Sequence, residues 1–544
     1  RDRVFKMNKL KFVLSGTLLS TAMAVNAGGI LTNTNQSVSF LRNPARDGVI
    51  AIDGVYSNPA GVAFLPKGIH LSFNNQSAFQ TRTIRSGITI PALQGTPFHQ
   101  PFKLNGGNEY GIKEFKGEAS APILPSIHAA INYDKWGFQA GFGLVGGGGK
   151  CTFNHGLGSF ERQISLLPAL LAQTNAGYQK KYGIDLGLGS NKPGYSVESY
   201  IHGQQYVFGL QLGTTYKFNE HLSVYGGFRF NFVYNKYEGN IKNISVNIGE
   251  TNQNLFDYLG TKAKALSEQA DLYKQQAENY QMLADQAKAA GNTAAAAQYQ
   301  AGADKLKQGA ALSAGGAQTM ESVRNQVADK YLDCTQKGWA IAPIIGVDYR
   351  WNKLNIGARL EFTTHFNIQN DTKRDDTGLF ADGVNTPGDM PGIFTIGAQY
   401  DILPRLRVMA GYHYFFDKDA RMDKEKQKLL AGNTQEFNAG AEYDITKRIQ
   451  VSAGMQRTKY GLGNGAFLND MSFVVSSYSV GLGVGAQISK KVKVNIAYFW
   501  TNYETFHKSY SQDYTAAGKT IKAENTDDFT RTNKVFGVGL DVNI

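Results

Sequence analysis

The sequence predicts an all-β chain that folds as a 14-stranded antiparallel transmembrane β-barrel. Three observations support this fold class: long segments in which apolar and polar residues alternate, short polar turns that alternate with long loops, and a composition rich in Gly and aromatic residues. The 544 residues include 61 Gly, 28 Tyr and 32 Phe but only 14 Pro, and the mean hydropathy is −0.32. Such alternation suits a wall with one face toward lipid and the other toward a polar lumen.

The clearest strand pair covers residues 338–371 and turns at Asn352-Lys353. Apolar side chains recur at every second position on both sides of this turn, and polar side chains fill the positions between them. A period of two places all apolar side chains on one face of a sheet. The apolar positions are Ile341, Ile345, Val347, Tyr349 and Trp351, then Leu354, Ile356, Ala358, Leu360 and Phe362.

Six short turns define six hairpins, which supply twelve strands. A first strand near residues 68–84 and a last strand at 532–544 bring the count to fourteen, so the barrel is assigned to residues 68–544. An even count returns both ends to the same, periplasmic, side. The turns are Tyr133-Asp134-Lys135, Asn219-Glu220-His221, Asn352-Lys353, Leu403-Pro404-Arg405, Thr446-Lys447-Arg448 and Ser489-Lys490-Lys491.

A soluble β-sandwich also alternates apolar and polar residues, and is the main alternative. Two features favour the membrane barrel. Several strands are longer than the five or six residues usual in soluble sheets, and aromatic residues cluster near strand ends, as in the girdles of membrane barrels. These aromatic residues include Phe228, Phe230, Phe232, Tyr234, Tyr498 and Trp500.

Residues 1–27 have the pattern of a secretion signal, with an apolar region at Phe12–Val25 and small residues at Val25 and Ala27 before the cleavage point. Residues 1–6 are interpreted as an upstream extension. Removing this segment, with five basic residues and one acidic, lowers the formal charge from +12 to +8. In an exported chain this charge favours contact with outer-membrane lipid and lipopolysaccharide rather than with nucleic acid. We expect a monomer.

Two segments depart from the strand pattern. Residues 28–67 read as a compact loop with short helices before the first strand. Residues 250–335 place small or apolar residues at alternating spacings of four and three, which predicts a helical hairpin with about 30 residues per arm. The hairpin should lie outside the cell, as a spacer or with a direct role. Its positions are Leu259, Ala263, Leu266, Ala270, Tyr273, Ala277, Tyr280, Ala284 and Ala287, then Tyr299, Ala303, Leu306, Ala310 and Ala317.

The run Tyr56-Ser57-Asn58-Pro59-Ala60-Gly61, just before the first strand, resembles the FadL/TodX family of outer-membrane transport proteins. The resemblance implies that residues 28–67 form a hatch that plugs the barrel, with Asn58, Pro59 and Ala60 as its motif. It implies diffusive transport of hydrophobic molecules, with long-chain fatty acids expected as cargo. In that family cargo meets an external groove formed by the loops after strands five and seven, then a pocket in the lumen.

The same resemblance implies a lateral exit, made by an inward kink in strand three. Here strand three runs into Gly146, Gly147, Gly148 and Gly149, which permit a bulge or kink. A flexible loop start is the alternative.

A fatty acid also needs a cationic anchor for its carboxylate, and Arg provides a bidentate one. Alternation directs Arg229, Arg350, Arg359 and Arg407 into the lumen, where each is either an anchor or a structural partner of carboxylates such as Asp348 and Glu361. His365 and His413 are also predicted to face the lumen.

Cys151 and Cys334 are predicted to form a disulfide at the outer rim, since an exported chain meets an oxidising compartment. Neither has nearby His ligands, so no metal site is expected, and no cofactor or catalytic constellation stands out. The chain is therefore not expected to be an enzyme. There are two alternative functions. One is a general water-filled porin, and the other is a surface adhesin or scaffold that acts through residues 250–335.

Overall fold

The computed structural model describes residues 30–183, 185–516 and 519–544, so the predicted signal peptide at 1–27 lies outside the described residues. Fourteen antiparallel strands form one sheet that closes where β1 pairs with β14. The predicted barrel is confirmed. Its strands are β1 Gly68–Thr89, β2 Ile112–Asn132, β3 Trp136–Phe153, β4 Tyr195–Lys217, β5 Leu222–Ile248, β6 Lys330–Trp351, β7 Leu354–Glu361 continued by Asn367–Asp375, β8 Asn385–Pro387 continued by Ile393–Leu403, β9 Leu406–Phe415, β10 Gln435–Asp444, β11 Ile449–Lys459, β12 Ser477–Gln487, β13 Val492–Tyr503 continued by Phe506–Ala516, and β14 Lys519–Asn543.

All six predicted turns join consecutive strands at one end of the barrel, which we call the inner end. Their polar side chains cap the chain reversal, as Asx and hydroxyl turns do. Asn219 Oδ1 accepts from the backbone N–H groups of His221 and Leu222 at 2.8 and 2.9 Å. Thr446 Oγ1 does the same for the turn before β11. The long loops lie at the opposite, outer end.

The barrel wall alternates between an apolar exterior and a polar interior. On β5, Phe228, Phe230 and Phe232 are 43, 37 and 40% exposed, whereas Arg229 and Asn231 between them are 1 and 0% exposed. Apolar side chains that stay exposed over a whole wall require a lipid environment, as in membrane barrels. Among the described helices, none is both long and apolar enough to span a bilayer.

The hatch, described here from residue 30 to residue 67, lies inside the barrel. It contains α1 Val38–Arg42, α2 Gly54–Ser57 and a 3-10 helix at Gly61–Phe64. Ser37 begins α1 as its N-cap, because its Oγ accepts from the Phe40 N–H at 3.0 Å.

Close contact between hatch and wall explains part of the high Gly content. A Cβ atom on any of several wall glycines would lie 2.0–2.7 Å from a hatch atom, which is shorter than real Cβ contacts. Gly at these positions leaves room for hatch atoms, mostly of side chains, to approach the sheet this closely. These glycines are Gly357, Gly397, Gly411, Gly440, Gly454, Gly481, Gly483, Gly485 and Gly537.

The predicted helical hairpin is present between β5 and β6. The helices α5 Leu255–Ala289 and α6 Thr293–Gln326 begin at Asn254 and Asn292, whose side chains cap the first turns. On the facing sides of the two helices, small residues are buried at seven-residue intervals, so the helices can approach closely. They are Ala263, Ala270, Ala277 and Ala284 on α5, and Ala303 and Ala310 on α6.

Replacing Gly302 by Leu should open this hairpin. A Cβ at Gly302 would lie 2.6 Å from the Tyr280 ring, whereas a Cβ at Gly315 on the same helix meets nothing within 4 Å. Overpacking of this kind costs about 1–3 kcal/mol. We expect limited proteolysis to cut α5–α6 faster in Gly302→Leu than in the matched Gly315→Leu, with the barrel intact in both. Equal cleavage rates would contradict the observed packing.

Two further helices were not predicted. The loop after β3 contains α3 Gly158–Ser165 and α4 Leu167–Tyr182, which lie over the outer end of the barrel. Residues 166–172 at the start of α4 form a continuous apolar run, whereas Phe160 and Ile164 lie on one face of the eight-residue α3. The sequence analysis had assigned this region to a loop.

Candidate functional site

The Asn-Pro-Ala element attaches the hatch to three strands of the wall. Asn58 Nδ2 donates to Asp348 Oδ2 on β6 at 2.6 Å. The Pro59 carbonyl accepts from Gln139 Nε2 on β3 at 2.6 Å, and the Ala60 carbonyl accepts from Ser223 Oγ on β5 at 2.7 Å.

Each of the three motif residues thus forms a hydrogen bond with the barrel wall. Asn58 and Ala60 are 1 and 0% exposed, and Asn58 Oδ1 accepts from the Gly61 N–H at 3.2 Å. The motif therefore fixes the chain just before β1 enters the wall.

Asn58→Ala should loosen this part of the hatch. The change leaves the buried Asp348 carboxylate with one fewer donor, which costs about 1–3 kcal/mol. We expect hydrogen exchange in residues 44–66 to accelerate roughly 10- to 100-fold, with exchange in the barrel strands unchanged. Ser57→Ala, which removes only a hydroxyl bonded to the Asp53 carbonyl at 3.2 Å, is the matched control. Unchanged exchange in Asn58→Ala would show that the motif does not anchor the hatch.

Charged groups join the inner side of the hatch to β10. Arg46 binds Asp53 through two hydrogen bonds of 2.8 Å and donates to Glu442 Oε1 at 3.0 Å. Arg42 reaches the same Glu442 oxygen at 3.4 Å. Burial alone would raise the pKa of Asp53, but the adjacent Arg46 lowers it below its ordinary value. Asp53 is therefore ionised, and its ion pair with Arg46 is part of the contact that holds the hatch against β10.

A second charged contact joins hatch and wall through an imidazole. His413 on β9 lies between two carboxylates, with Nε2 at 2.9 Å from Asp47 of the hatch and Nδ1 at 2.9 Å from Glu436 of β10. All three side chains are buried. Buried charges of this kind are costly to separate, because each is left without its partner.

The four-glycine run interrupts the wall at β3. The ladder between β3 and β4 shifts register at Gly146 and again before Gly149. Gly147 and Gly149 have φ of +89° and +65°, a conformation that favours Gly. Bulges of this kind bend a strand locally, and an inward kink that makes a lateral exit stays a prediction.

At the same height the ladder between β2 and β3 is interrupted between Glu118 and Ile127. Hatch residues occupy the inner side of this gap. Thr32 forms a bridge with Gly146, and the Gly147 N–H donates to the Leu31 carbonyl at 2.9 Å.

Gln36 joins the two strands across the gap. Its Nε2 donates to the Leu144 carbonyl of β3 at 2.8 Å, and its carbonyl accepts from Ser126 Oγ of β2 at 2.6 Å. Gln36 thus joins β2 to β3 through hydrogen bonds, which can be exchanged without breaking a covalent bond.

One apolar cluster fills the lumen between the hatch, the bend of β3 and the outer loops. It includes Leu31 of the hatch and Val145 of β3, and extends to the loop between β11 and β12. An apolar molecule that displaced part of this packing would contact hydrocarbon side chains of the cluster, which is favourable in proportion to the area buried. Further members are Val207, Val233, Phe366, Ile368, Met390, Met422, Leu462, Phe467, Phe473 and Phe529.

A groove lies on the outer side, between α4 and the helical hairpin. It has a volume of about 870 Å³, within the range of ligand pockets. Four tyrosine side chains and the glycine row of α6 form much of its lining. The tyrosines are Tyr178, Tyr182, Tyr273 and Tyr280.

The helix α3 separates the groove from the lumen. Phe160 on α3 belongs to the apolar cluster of the lumen, whereas Ile164 belongs to the cluster beneath the groove. Ion pairs fix the helix in this position: Arg162 with Asp527 at 2.7 Å and Glu161 with Lys113 at 2.6 Å.

No protein-family model and no curated protein sequence matches the chain. A Pseudomonas aeruginosa FadL homologue has a similar structure, with a TM-score of 0.55 and 13% sequence identity over 96% of this chain and 100% of that one. The chain has the FadL fold. Two further structures are similar. They are the Pseudomonas putida toluene transporter TodX, with a TM-score of 0.43 and 13% identity over 96% of this chain and 100% of that one, and the Ralstonia pickettii toluene transporter TbuX, with a TM-score of 0.43 and 14% identity over 92% and 97%.

Within this FadL fold, two of the four predicted lumen arginines enclose a hatch tyrosine. Arg229 and Arg359 lie 4.9 and 4.7 Å from the centre of the Tyr56 ring. Arg229 also binds Glu361 at 2.5 Å, and Arg359 donates to the Tyr56 carbonyl. Both therefore hold the hatch in the structure described.

The other two arginines lie near the inner end. Arg407 binds Asp444 through two hydrogen bonds of 2.8 Å. Arg350 is exposed beside the β4–β5 turn, where its N–H donates to the His221 carbonyl. By alternation Arg350 shares the inward face of β6 with buried Asp348, but it is exposed because it lies at the end of the strand beyond the hatch, and its role as an anchor stays a prediction.

His365 is also exposed, contrary to the prediction. It binds Asp389 at 2.7 Å with 60% of its side chain accessible. It lies in the break of β7 between Glu361 and Asn367, where the period-two rule no longer applies.

The predicted disulfide is absent: Cys151 and Cys334 are both buried, free thiols. Cys151 pairs with Gly203, Gly203 with Tyr237, and Tyr237 with Cys334, so two strands separate the cysteines. Three strand spacings are roughly 14 Å, well beyond the ~7 Å limit between the Cα atoms of a disulfide. Both residues lie within longer strands than the sequence indicated, rather than in flexible rim loops.

The external groove also differs from the one the resemblance implied. It is formed by the loops after β3 and β5, not after β5 and β7, because the loop after β7 spans only residues 376–384. Among the described residues, no group of His, Cys, Asp and Glu could hold a metal ion.

Proposed function

We propose that the chain is a FadL/TodX-type transporter that carries hydrophobic molecules, long-chain fatty acids among them, into a bacterial cell across its outer membrane. Transport is by diffusion down a gradient. The observation that carries the proposal is the combination of a closed, hatch-filled barrel with a wall interrupted between β2 and β3 beside an apolar lumen.

Cargo first binds in the tyrosine-lined groove between α4 and the hairpin. Its volume of about 870 Å³ is sufficient for a long alkyl chain. Movement of α3 then connects the groove with the lumen. Phe160 of α3 belongs to the apolar cluster of the lumen, and Ile164 of α3 belongs to the cluster beneath the groove. Each step moves the molecule between apolar surfaces, so water never has to solvate it fully.

Exit is lateral, between β2 and β3 where Gln36 bridges the strands. An axial exit is less favourable, because it leads through a cluster of buried ion pairs. Separating these pairs would leave buried charges without partners. The cluster consists of Arg42, Arg46, Asp53 and Glu442. The lateral route requires exchange of hydrogen bonds between uncharged groups, those of Gln36 with β2 and β3 and those of Leu31 and Asn33 with the backbone of β3.

The proposed function is transport, not catalysis. In this arrangement the inner end faces the periplasm, the hairpin lies outside the cell, and the apolar wall contacts outer-membrane lipid and lipopolysaccharide. The chain acts as a monomer, since each barrel has its own groove, lumen and wall opening.

Native mass spectrometry of gently purified protein tests the proposal. We expect an amphiphile or hydrocarbon to co-purify and to be displaced by added oleate. Protein that carries no such molecule and shows porin-like ion conductance would overturn it in favour of a water-filled porin.

A further inference from the structure

Basic side chains are distributed unevenly around the inner end of the barrel. Six exposed basic residues lie on the four turns that join β6 to β7, β8 to β9, β10 to β11 and β12 to β13, which follow one another along one side of the rim. None of the six forms an ion pair with another described residue. We call them the basic arc: Lys353, Arg405, Lys447, Arg448, Lys490 and Lys491.

The other side of the rim, between β1 and β5, carries less uncompensated charge. Two of its three lysines are neutralised by carboxylates of the same side. Lys67 binds Asp134 at 3.2 Å, and Lys217 binds Glu220 at 3.3 Å. The positive charge that has no partner in the chain is therefore concentrated on the basic arc.

Acidic residues on the strands above the basic arc bind other groups. Asp444 makes two hydrogen bonds of 2.8 Å with Arg407. Asp401 accepts from Gln399 Nε2 at 3.1 Å. Anions that contact the basic arc directly must therefore come from outside the chain.

The sheet holds the backbone of the basic arc in place. One carbonyl group in each of the four turns accepts an N–H bond of 2.7–3.0 Å from the neighbouring strand. Successive turns are two strands apart, roughly 10 Å, which is close to the screening length of about 8 Å at physiological salt. The positive potentials of the turns therefore merge into one band. The bonded pairs are Lys353 with Asp401, Arg405 with Asp444, Arg448 with Gln487, and Lys491 with Asn543.

Exposed aromatic side chains show where the basic arc lies relative to the membrane. Trp351, two residues before Lys353, is 62% exposed on the outside of the wall, and Tyr400 and Tyr443 before the next two turns are 47 and 44% exposed. Aromatic girdles of this kind lie at the level of the lipid head groups. The basic arc is therefore beside the head groups, a position that favours a lipid surface over a soluble acidic protein.

We infer that the basic arc binds anionic phospholipids of the periplasmic leaflet through their phosphate groups. Phosphate oxygens accept charge-assisted hydrogen bonds from Lys and Arg, and every cation near an anionic membrane surface adds to the attraction. The inference rests on the orientation of the barrel given under the proposed function and is independent of the cargo. Because the opening between β2 and β3 is on the other side of the rim, anionic lipids collect away from the lateral exit.

Competition between dioleoyl phosphatidylglycerol and dioleoyl phosphatidylethanolamine for the full chain in a non-ionic detergent tests the inference, with native mass spectrometry as the readout. Parent protein should retain phosphatidylglycerol at least about tenfold more strongly, and this preference should fall as ammonium acetate is raised. The triple variant Lys353→Gln, Lys447→Gln, Lys490→Gln should reduce the preference to about twofold or less. The same three residues changed to Arg should keep it.

The matched control Lys67→Gln, Lys135→Gln, Lys217→Gln removes three lysines from the other side of the same rim and should keep the parental preference. Heat-dependent migration in gels shows that each variant has folded. A parental preference in the folded arc variant, or an equal loss in the control, would overturn the inference. Equal retention of both lipids by the parent would also overturn it, while the proposed transport is judged separately by binding and uptake of oleate.

Discussion

A barrel carrying Glu442→Leu is expected to conduct ions at least tenfold better than the parent barrel. Glu442 accepts from Arg46 at 3.0 Å and from Arg42 at 3.4 Å, and both arginines belong to the hatch. Breaking a buried ion pair costs about 3–5 kcal/mol, because the remaining charges are uncompensated. Because the hatch is held less firmly, states in which water and ions pass beside it should become populated.

Single-channel recording in a planar bilayer measures this effect. Glu220→Leu is the matched control, since Glu220 binds Lys217 on the surface of the same inner end with 83% of its side chain exposed. The control should conduct as poorly as the parent. If Glu442→Leu stays closed although hydrogen exchange shows a loosened hatch, the hatch is not what blocks the lumen.

The double variant Gly147→Val, Gly149→Val should lower uptake of labelled oleate more than tenfold while binding persists. Both glycines have positive φ, which a β-branched residue adopts only with strain. A Cβ on Gly147 would also lie 2.6 Å from the Gln205 carbonyl. The bend in β3 therefore cannot keep its shape, and the opening beside β2 changes with it.

Gly226→Val provides the control, because a Cβ at that wall position meets nothing within 4 Å. Its uptake should equal that of the parent. Full uptake by a correctly folded double variant would contradict lateral exit at β2–β3.

The wall could be predicted from sequence because its determinants are local. Alternation along β5, with Phe228 outside and Arg229 inside, depends only on neighbouring residues, and so do the turns capped by Asn219 and Thr446. The same rule failed where a strand breaks, because His365 lies in the break of β7. The rule also says nothing of burial: Arg350 shares a face with Asp348 but is exposed beyond the cover of the hatch.

The site could be predicted only in part, because its contacts join distant parts of the chain. The motif identified Asn58, but its partner Asp348 is 290 residues away, and no local pattern connects the two. His413 was predicted to face the lumen, but its carboxylate partners Asp47 and Glu436 were not predicted.

Uptake of labelled oleate by bacterial cells that lack their own fatty acid channel tests the central claim most directly. Cells that express this chain in the outer membrane should take up oleate well above cells with an empty vector. Uptake should fall with Gly147→Val, Gly149→Val but not with Gly226→Val. Uptake no higher than the empty vector, from protein shown to be folded and inserted, would contradict transport of hydrophobic molecules through this barrel.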